Sequence, residues 1–176
     1  MESGQAIDLT QFPPRIRESG LDLGILMTFV YRTLVDQMIA RVDVAEFGEL
    51  RPMNGFVFVH CYPDGETITA LAHEAGVSKQ AMMQVIDAME RRGLVDRQPH
   101  PTDRRQKLVR LTEKGERAMR AVMRAWNDIE MEWAARIGAE RMTTLRDDLI
   151  AFVAIHGGWN LPALNRALIA DEGAAP

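Results

Sequence analysis

A single cysteine, Cys61, stands among the 176 residues, so no disulfide can close within this chain. A lone thiol suits a reducing compartment, where bridges do not persist. It follows the apolar run Phe56-Val57-Phe58-Val59, which favours a buried, inert thiol over a redox sensor. Histidine is scarce as well. His60, His73, His100 and His156 include no pair at the i, i+4 spacing of a helix and have no Cys-x-x-Cys companion, so no metal ligand is assigned. A phosphate-cradling glycine loop, a Gly-x-Ser-x-Gly elbow and a clustered acid pair are all missing. The acids of Glu130-Met131-Glu132 read as the wet face of a helix. Without those signatures no catalytic residue or cofactor is assigned, and an enzyme is not expected. The N-terminus, with Glu2, Asp8 and Pro13-Pro14, lacks the basic-then-apolar pattern of a signal peptide. The most apolar stretch, from Leu21, is broken by Asp22, Arg32, Asp36 and Arg41, so a cytoplasmic chain is expected rather than a membrane span. A net charge of −4 excludes a uniformly basic nucleic-acid coat.

What the chain does have is ordinary globular material, 47% apolar and 26% charged. Its length allows one domain with a core, or a small domain plus an association module. Residues 1–20 read as an N-terminal arm, with Pro13-Pro14 preventing a continuous helix. From about Leu21 to Phe47 the spacing predicts a long helix with an apolar stripe at Leu23, Leu26, Met27, Val30, Leu34, Met38 and Val42. Ile25, Phe29 and Ile39 give that helix a second apolar flank, so it is expected to pack beyond its own small domain. Shorter helices follow over Arg51-Pro52 to Cys61 and Thr67 to Ala75, separated by the turn Tyr62-Pro63-Asp64-Gly65. Beyond Thr112, a capping residue, a long helix runs to about Ile137 on the stripe Met119, Val122, Met123, Trp126, Ile129, Trp133 and Ile137. Another spans about Ala139 to His156, and a last short one is expected over Leu161 to Ala170. These end helices hold more apolar surface than one small domain covers. They bury one another across a two-fold dimer or fold back as a self-contained cap, and the dimer is the reading adopted.

The richest stretch is residues 77–112. Ser78 can cap a helix that Gly93 ends; Leu94-Val95 begins a strand, and Lys107-Leu108-Val109-Arg110-Leu111 alternates like its partner. Between the strands lies Pro-His-Pro-Thr-Asp-Arg-Arg, too long for a tight turn. Gly76-Val77-Ser78 joins this helix to the one before it as a helix-turn-helix. From Arg91 to Arg110 there are seven basic residues (Arg91, Arg92, Arg97, Arg104, Arg105, Lys107, Arg110) against Asp96 and Asp103, a local +5. That excess reads either as a phosphate-binding patch or as a solvated hairpin. A helix fits the DNA major groove while a basic hairpin reaches the backbone or minor groove beside it. The expected fold class is therefore mainly α with a small β-hairpin wing, a winged helix-turn-helix core flanked by N- and C-terminal dimerisation helices. The divisions are 1–20, the arm; 21–48, the first dimerisation helix; 49–112, the DNA-binding domain; and 113–176, the C-terminal dimerisation helices.

Over Thr67 to Ala118 the chain resembles the MarR family of bacterial transcription regulators. The resemblance rests on Leu71-Ala72…Gly76-Val77-Ser78, on Met89-Glu90-Arg91-Arg92-Gly93-Leu94-Val95, and on Asp103-Arg104-Arg105…Lys107-Leu108-Val109-Arg110-Leu111-Thr112-Glu113-Lys114-Gly115. It implies a homodimer on a pseudo-palindromic double-stranded operator. Carried over by position, Ser78, Lys79, Gln80, Met83 and Gln84 face the major groove. Met82, Val85, Ile86 and Met89 turn to the core. Gln80 or Gln84 would pair with adenine, and Lys79 would read guanine or hold a phosphate. The family pattern favours a small hydroxyl residue at 83 and arginine at 84; Met83 offers dispersion contact or else joins the core. In the wing Asp103 would brace an arginine, Arg105 would enter the minor groove, Arg104 would serve brace or backbone, and Lys107 would join the DNA face. Family members commonly answer to small aromatic acids, phenols, metals or oxidants, so a small-molecule effector is expected. Met27, Tyr31, His60 and Trp126 are the candidates for its pocket, each with ordinary packing as the competing reading. A winged-helix adaptor or antirepressor working through protein contacts, and a redox regulator using Cys61, are the alternative functions.

Overall fold

A computed structural model describes residues 23–102 and 106–155. The arm expected at 1–20, the short helix expected over 161–170, His156, and the DNA-contact candidates Asp103, Arg104 and Arg105 lie outside the described residues.

The first helix, α1, is Leu23–Arg41, shorter than the helix expected to Phe47. The chain breaks at Asp43, whose carboxylate accepts from the amides of Ala45 (2.8 Å) and Glu46 (3.2 Å) and so starts a separate turn, α2 (Val44–Phe47). An acidic side chain that caps the following turn competes with continued helix, and here the cap wins. Helix α3 (Pro52–Cys61) has proline at its first position, where no amide partner is lost. Thr67 then does double duty. It pairs with Leu108 in a two-residue strand, β1 (Glu66–Thr67), and its hydroxyl caps α4 (Ile68–Glu74) by accepting from Ala70 N at 3.2 Å. The turn at 75–78 leads into α5 (Lys79–Arg91), capped by Ser78 Oγ accepting from Ala81 N at 3.1 Å.

The hairpin of β2 (Val95–Pro99) and β3 (Lys107–Leu111) is antiparallel, with Val95 opposite Leu111 and Pro99 opposite Lys107. β3 is the middle strand of the three, with β1 on its other edge. Helix α6 (Glu113–Ile137) is capped by Thr112 and leads to α7 (Ala139–Ile155). The architecture is thus mainly helical around a small antiparallel sheet, a winged helix-turn-helix flanked in sequence by longer helices.

The core sits where α3, α4, α5 and the strands meet the first half of α6. Val57, Phe58, Leu71, Met82, Ile86, Met89, Leu94 and Val109 are almost wholly buried there, and the core continues along α6 to Ala125 and Ile129. Met82, Ile86 and Met89 recur every three or four residues, which is how α5 buries one face and leaves the other in solvent.

The end helices behave differently. On α1 only Met38 is buried, while Leu23, Ile25, Leu26, Met27 and Phe29 are exposed; on α7 only Met142 is buried, while Leu149, Ile150, Phe152 and Ile155 are exposed. By length and composition α1 is apolar enough to cross a bilayer, the one such helix among the described residues. Its C-terminal end is anchored instead within the fold: Met38 enters the core, and Arg41 grips both carboxylate oxygens of Glu132 on α6 at 2.9 and 2.8 Å.

Candidate nucleic-acid interface and effector cavity

Helix α5 presents Ser78, Lys79, Gln80, Met83 and Gln84 to solvent on the side opposite its buried methionines. Met83 keeps 41% of its surface exposed, whereas Met82 beside it keeps none, so the two neighbouring methionines have opposite environments. The Ser78 oxygen accepts from the helix, which leaves its O–H to donate outward. The exposed row offers a cation, two amides able to donate and accept, and one apolar tip. Such a set can read base edges in a groove.

Two arginines of the basic patch are engaged inside the domain. Arg97 on β2 bridges to α5, contacting Asp87 and, at 3.0 Å, Glu90. Asp87 and Glu90 lie before the 91–110 stretch, so a charge sum over that stretch misses this neutralisation. Arg97 therefore fixes the wing strand to the helix rather than facing phosphate. Arg92, which closes α5, contacts the Glu49 carbonyl and donates to Ala88 O at 3.2 Å and Asn54 Oδ1 at 3.4 Å. Burial first, and then the neighbouring Arg51, lower its proton affinity below that of an ordinary guanidinium. At the wing, Lys107 is exposed at the base of β3 beside a loop tied by His100 N to Gln106 O at 3.2 Å.

Between α1, α3 and α6 lies an apolar cavity of about 270 Å³. Tyr31, Val35 and Met38 come from α1; Leu50, Arg51, Pro52, Gly55, Phe58 and Val59 from the loop and α3; Met119, Val122, Met123 and Trp126 from α6. Tyr31 and Trp126, two of the four sequence candidates, meet here. Met27 lies a turn further along α1, and His60 faces away, its ring 4.0 Å from that of Phe56 and its Nδ1 4.0 Å from Glu74. Sequence reasoning passes over Arg51, the one arginine in the lining, because along the chain it marks only the start of a helix. Desolvation raises the Tyr31 phenol above its ordinary pKa, so it stays a neutral hydrogen-bonding group at physiological pH. A second cavity of about 310 Å³ opens between α6 and α7 against Leu34, and Trp126 lines both.

Gly55 borders the first cavity with nothing within 4 Å of where a Cβ would stand. Because alanine is the better helix former, Gly55→Ala should stabilise the protein by about 1 kcal/mol, read as a raised urea midpoint at unchanged slope. Cys61 is 1% exposed, and burial pushes its thiol up to about 12. At pH about 7.4 it should fail to react with a thiol-specific chromogenic disulfide until denaturant is added; prompt reaction in the native state would revive a redox role.

Residues 63–106 match the MarR family model. Among solved structures the chain is similar to CouR from Rhodococcus jostii RHA1 bound to p-coumaroyl-CoA, with 24% identity over 76% of this chain and 92% of that one, at a TM-score of 0.59. It is similar as well to the transcriptional repressor CouR bound to a 23-mer DNA duplex, with 23% identity over 82% of this chain and 98% of that one, at a TM-score of 0.64. RV1404 from Mycobacterium tuberculosis shares 21% identity over 76% of this chain and 92% of its own, at a TM-score of 0.63. At these identities the likeness is one of fold.

Proposed function

We propose that this chain, whose winged helix-turn-helix is of the MarR family, is a homodimeric transcriptional repressor that a small molecule releases from its operator. The observation that carries the reading is the two-faced α5, core methionines on one side and the exposed row of Lys79, Gln80, Met83 and Gln84 on the other. In a DNA complex that row lies in the major groove, and Arg105, in the sequence between β2 and β3, enters the adjacent minor groove. Lys79, Lys107 and the wing arginines supply the phosphate contacts that make affinity fall with salt. Two such heads are joined through the uncovered apolar faces of α1 and α7 in a closed two-fold pair. The effector site is the α1–α3–α6 cavity. Its apolar lining suits a planar or aliphatic body, and Arg51 with the neutral Tyr31 phenol suits an oxygen-rich or anionic head. The similar CouR, bound to p-coumaroyl-CoA, makes a free or thioester-linked phenolic acid the first compound class to try.

The test is selection of genomic fragments by the purified protein at physiological salt, followed by sequencing of what is bound. A two-fold motif with half-sites centred about ten base pairs apart is the expected result. A folded protein that enriches no sequence, even after denaturation and refolding to strip a carried ligand, would favour the protein-contact reading instead.

A further inference from the structure

Asn54 is the one buried polar side chain among the described residues, 5% exposed in the first turn of α3. A buried amide oxygen needs donors, and this one has two from different parts of the fold. Arg51 N donates to Asn54 Oδ1 at 2.9 Å, and the Arg92 guanidinium donates to the same atom at 3.4 Å. Arg92 also holds the Glu49 carbonyl, and its Cδ packs so close to Gly48 that a Cβ there would sit 2.9 Å away. Gly48 has a φ of 71°, so a side chain is disfavoured at that position by backbone and space alike. Residues 48–54 are therefore folded around one guanidinium that belongs to the end of α5. The same stretch supplies Leu50, Arg51 and Pro52, with Gly55 next, to the cavity wall.

We propose that Arg92 and Asn54 are the positioning residues through which the cavity wall sets the orientation of the reading helix. This rests on the cavity being the effector site. A ligand that displaces Arg51 or Pro52 moves the first turn of α3, and Asn54 moves with it. One nitrogen of the rigid Arg92 guanidinium donates to Asn54 Oδ1 at 3.4 Å while another holds the Glu49 carbonyl, so the α5 terminus follows the 48–54 stretch at both points. The helix is 13 residues long, about 20 Å at the standard rise, so a small displacement at Arg92 is enlarged at the reading end. Lys114 Nζ holds the Arg92 carbonyl at 2.8 Å, which gives the motion a pivot on α6.

The experiment needs neither the effector nor the operator. Gly55→Leu places an apolar side chain in the cavity as a built-in occupant, at a position where Cβ is unobstructed. Hydrogen exchange of residues 79–91 is measured by mass spectrometry for the wild-type protein, Gly55→Leu, Arg92→Gln and the double variant. Gly55→Leu should change the exchange of α5 amides about threefold or more, and the change should vanish in the Arg92→Gln background. Arg92→Lys should behave like Arg92→Gln, because lysine lacks the planar fork whose separate nitrogens reach Ala88 O, the Glu49 carbonyl and Asn54 Oδ1. If Arg92→Gln does not fold, the cycle is run with Asn54→Leu. A purely structural Arg92 would loosen α5 by the same amount whether or not the cavity is filled from position 55, and that additivity overturns the proposal. So does an α5 unmoved by Gly55→Leu. Failure to find an operator or effector would sink the repressor reading while leaving this measured coupling in place; additivity would sink the coupling while leaving DNA binding intact.

Discussion

Gly115→Ala is expected to destabilise this protein by roughly 3 kcal/mol, lowering its melting temperature by about 10 °C. A Cβ at position 115 would stand 1.9 Å from the carbonyl oxygen of Leu94 and 3.0 Å from its carbonyl carbon. Those are backbone atoms, so no side chain can swing aside. The same carbonyl already accepts from Thr112 N at 3.1 Å, and Thr112 Oγ1 donates to Gly93 O at 2.6 Å while accepting from Gly115 N at 3.0 Å. One short junction thus holds the end of α5, the start of β2 and the N-terminus of α6. Separating α6 from Leu94 by even an ångström would disturb all of these hydrogen bonds and the wing's root with them. Thermal unfolding followed by far-ultraviolet circular dichroism measures the effect directly. A melting temperature within about 2 °C of wild type would show that the junction can open and that the close approach is not a constraint. Operator affinity of the surviving folded fraction should fall as well, since the wing is positioned from this point.

Much of the winged domain was legible in the sequence because its signals are local. Ser78 and Thr112 each cap the helix their position predicts, and the alternation of Lys107–Leu111 marks a strand. Other readings fail because one local signal hides another or because a nonlocal partner decides the outcome. Asp43 falls inside the apolar stretch expected as one long helix, yet its side chain caps a second helix where the first has ended. β1 escapes sequence reading because two residues carry no periodicity; only the edge of β3 makes them a strand. Arg92 and Arg97 look like free positive charge beside the wing until the fold brings Glu49, Asp87 and Glu90 against them. The cavity follows the same rule. Tyr31 and Trp126 are visible as polar-tipped aromatics on long helices, while Arg51 is recognisable only once three elements converge.

Replacing Phe29 and Phe152 together by glutamate should convert the protein to a folded monomer and weaken operator binding at least about a hundredfold. Each phenylalanine is 61% exposed in the protomer, on α1 and α7 respectively, so neither contributes much to the protomer's own core. Burying a phenylalanine across an interface contributes about 1.5–3 kcal/mol, and a two-fold dimer counts each site twice. Glutamates there would instead bury unpaired carboxylates, at a far larger cost than forgoing the apolar burial alone. Light scattering should then report about 19.8 kDa, the mass of one chain, where wild type should report about double. Helical content and melting of the winged domain should stay close to wild type. DNA affinity suffers because the second head no longer arrives at an effective concentration set by its tether to the first. The salt dependence of binding sharpens the test: a monomer makes about half the phosphate contacts, so the slope of log affinity against log salt should roughly halve. A wild-type protein that scatters as a single chain would instead identify α1 and α7 as surfaces for some other partner. A variant that stays dimeric would place the joint elsewhere on the molecule.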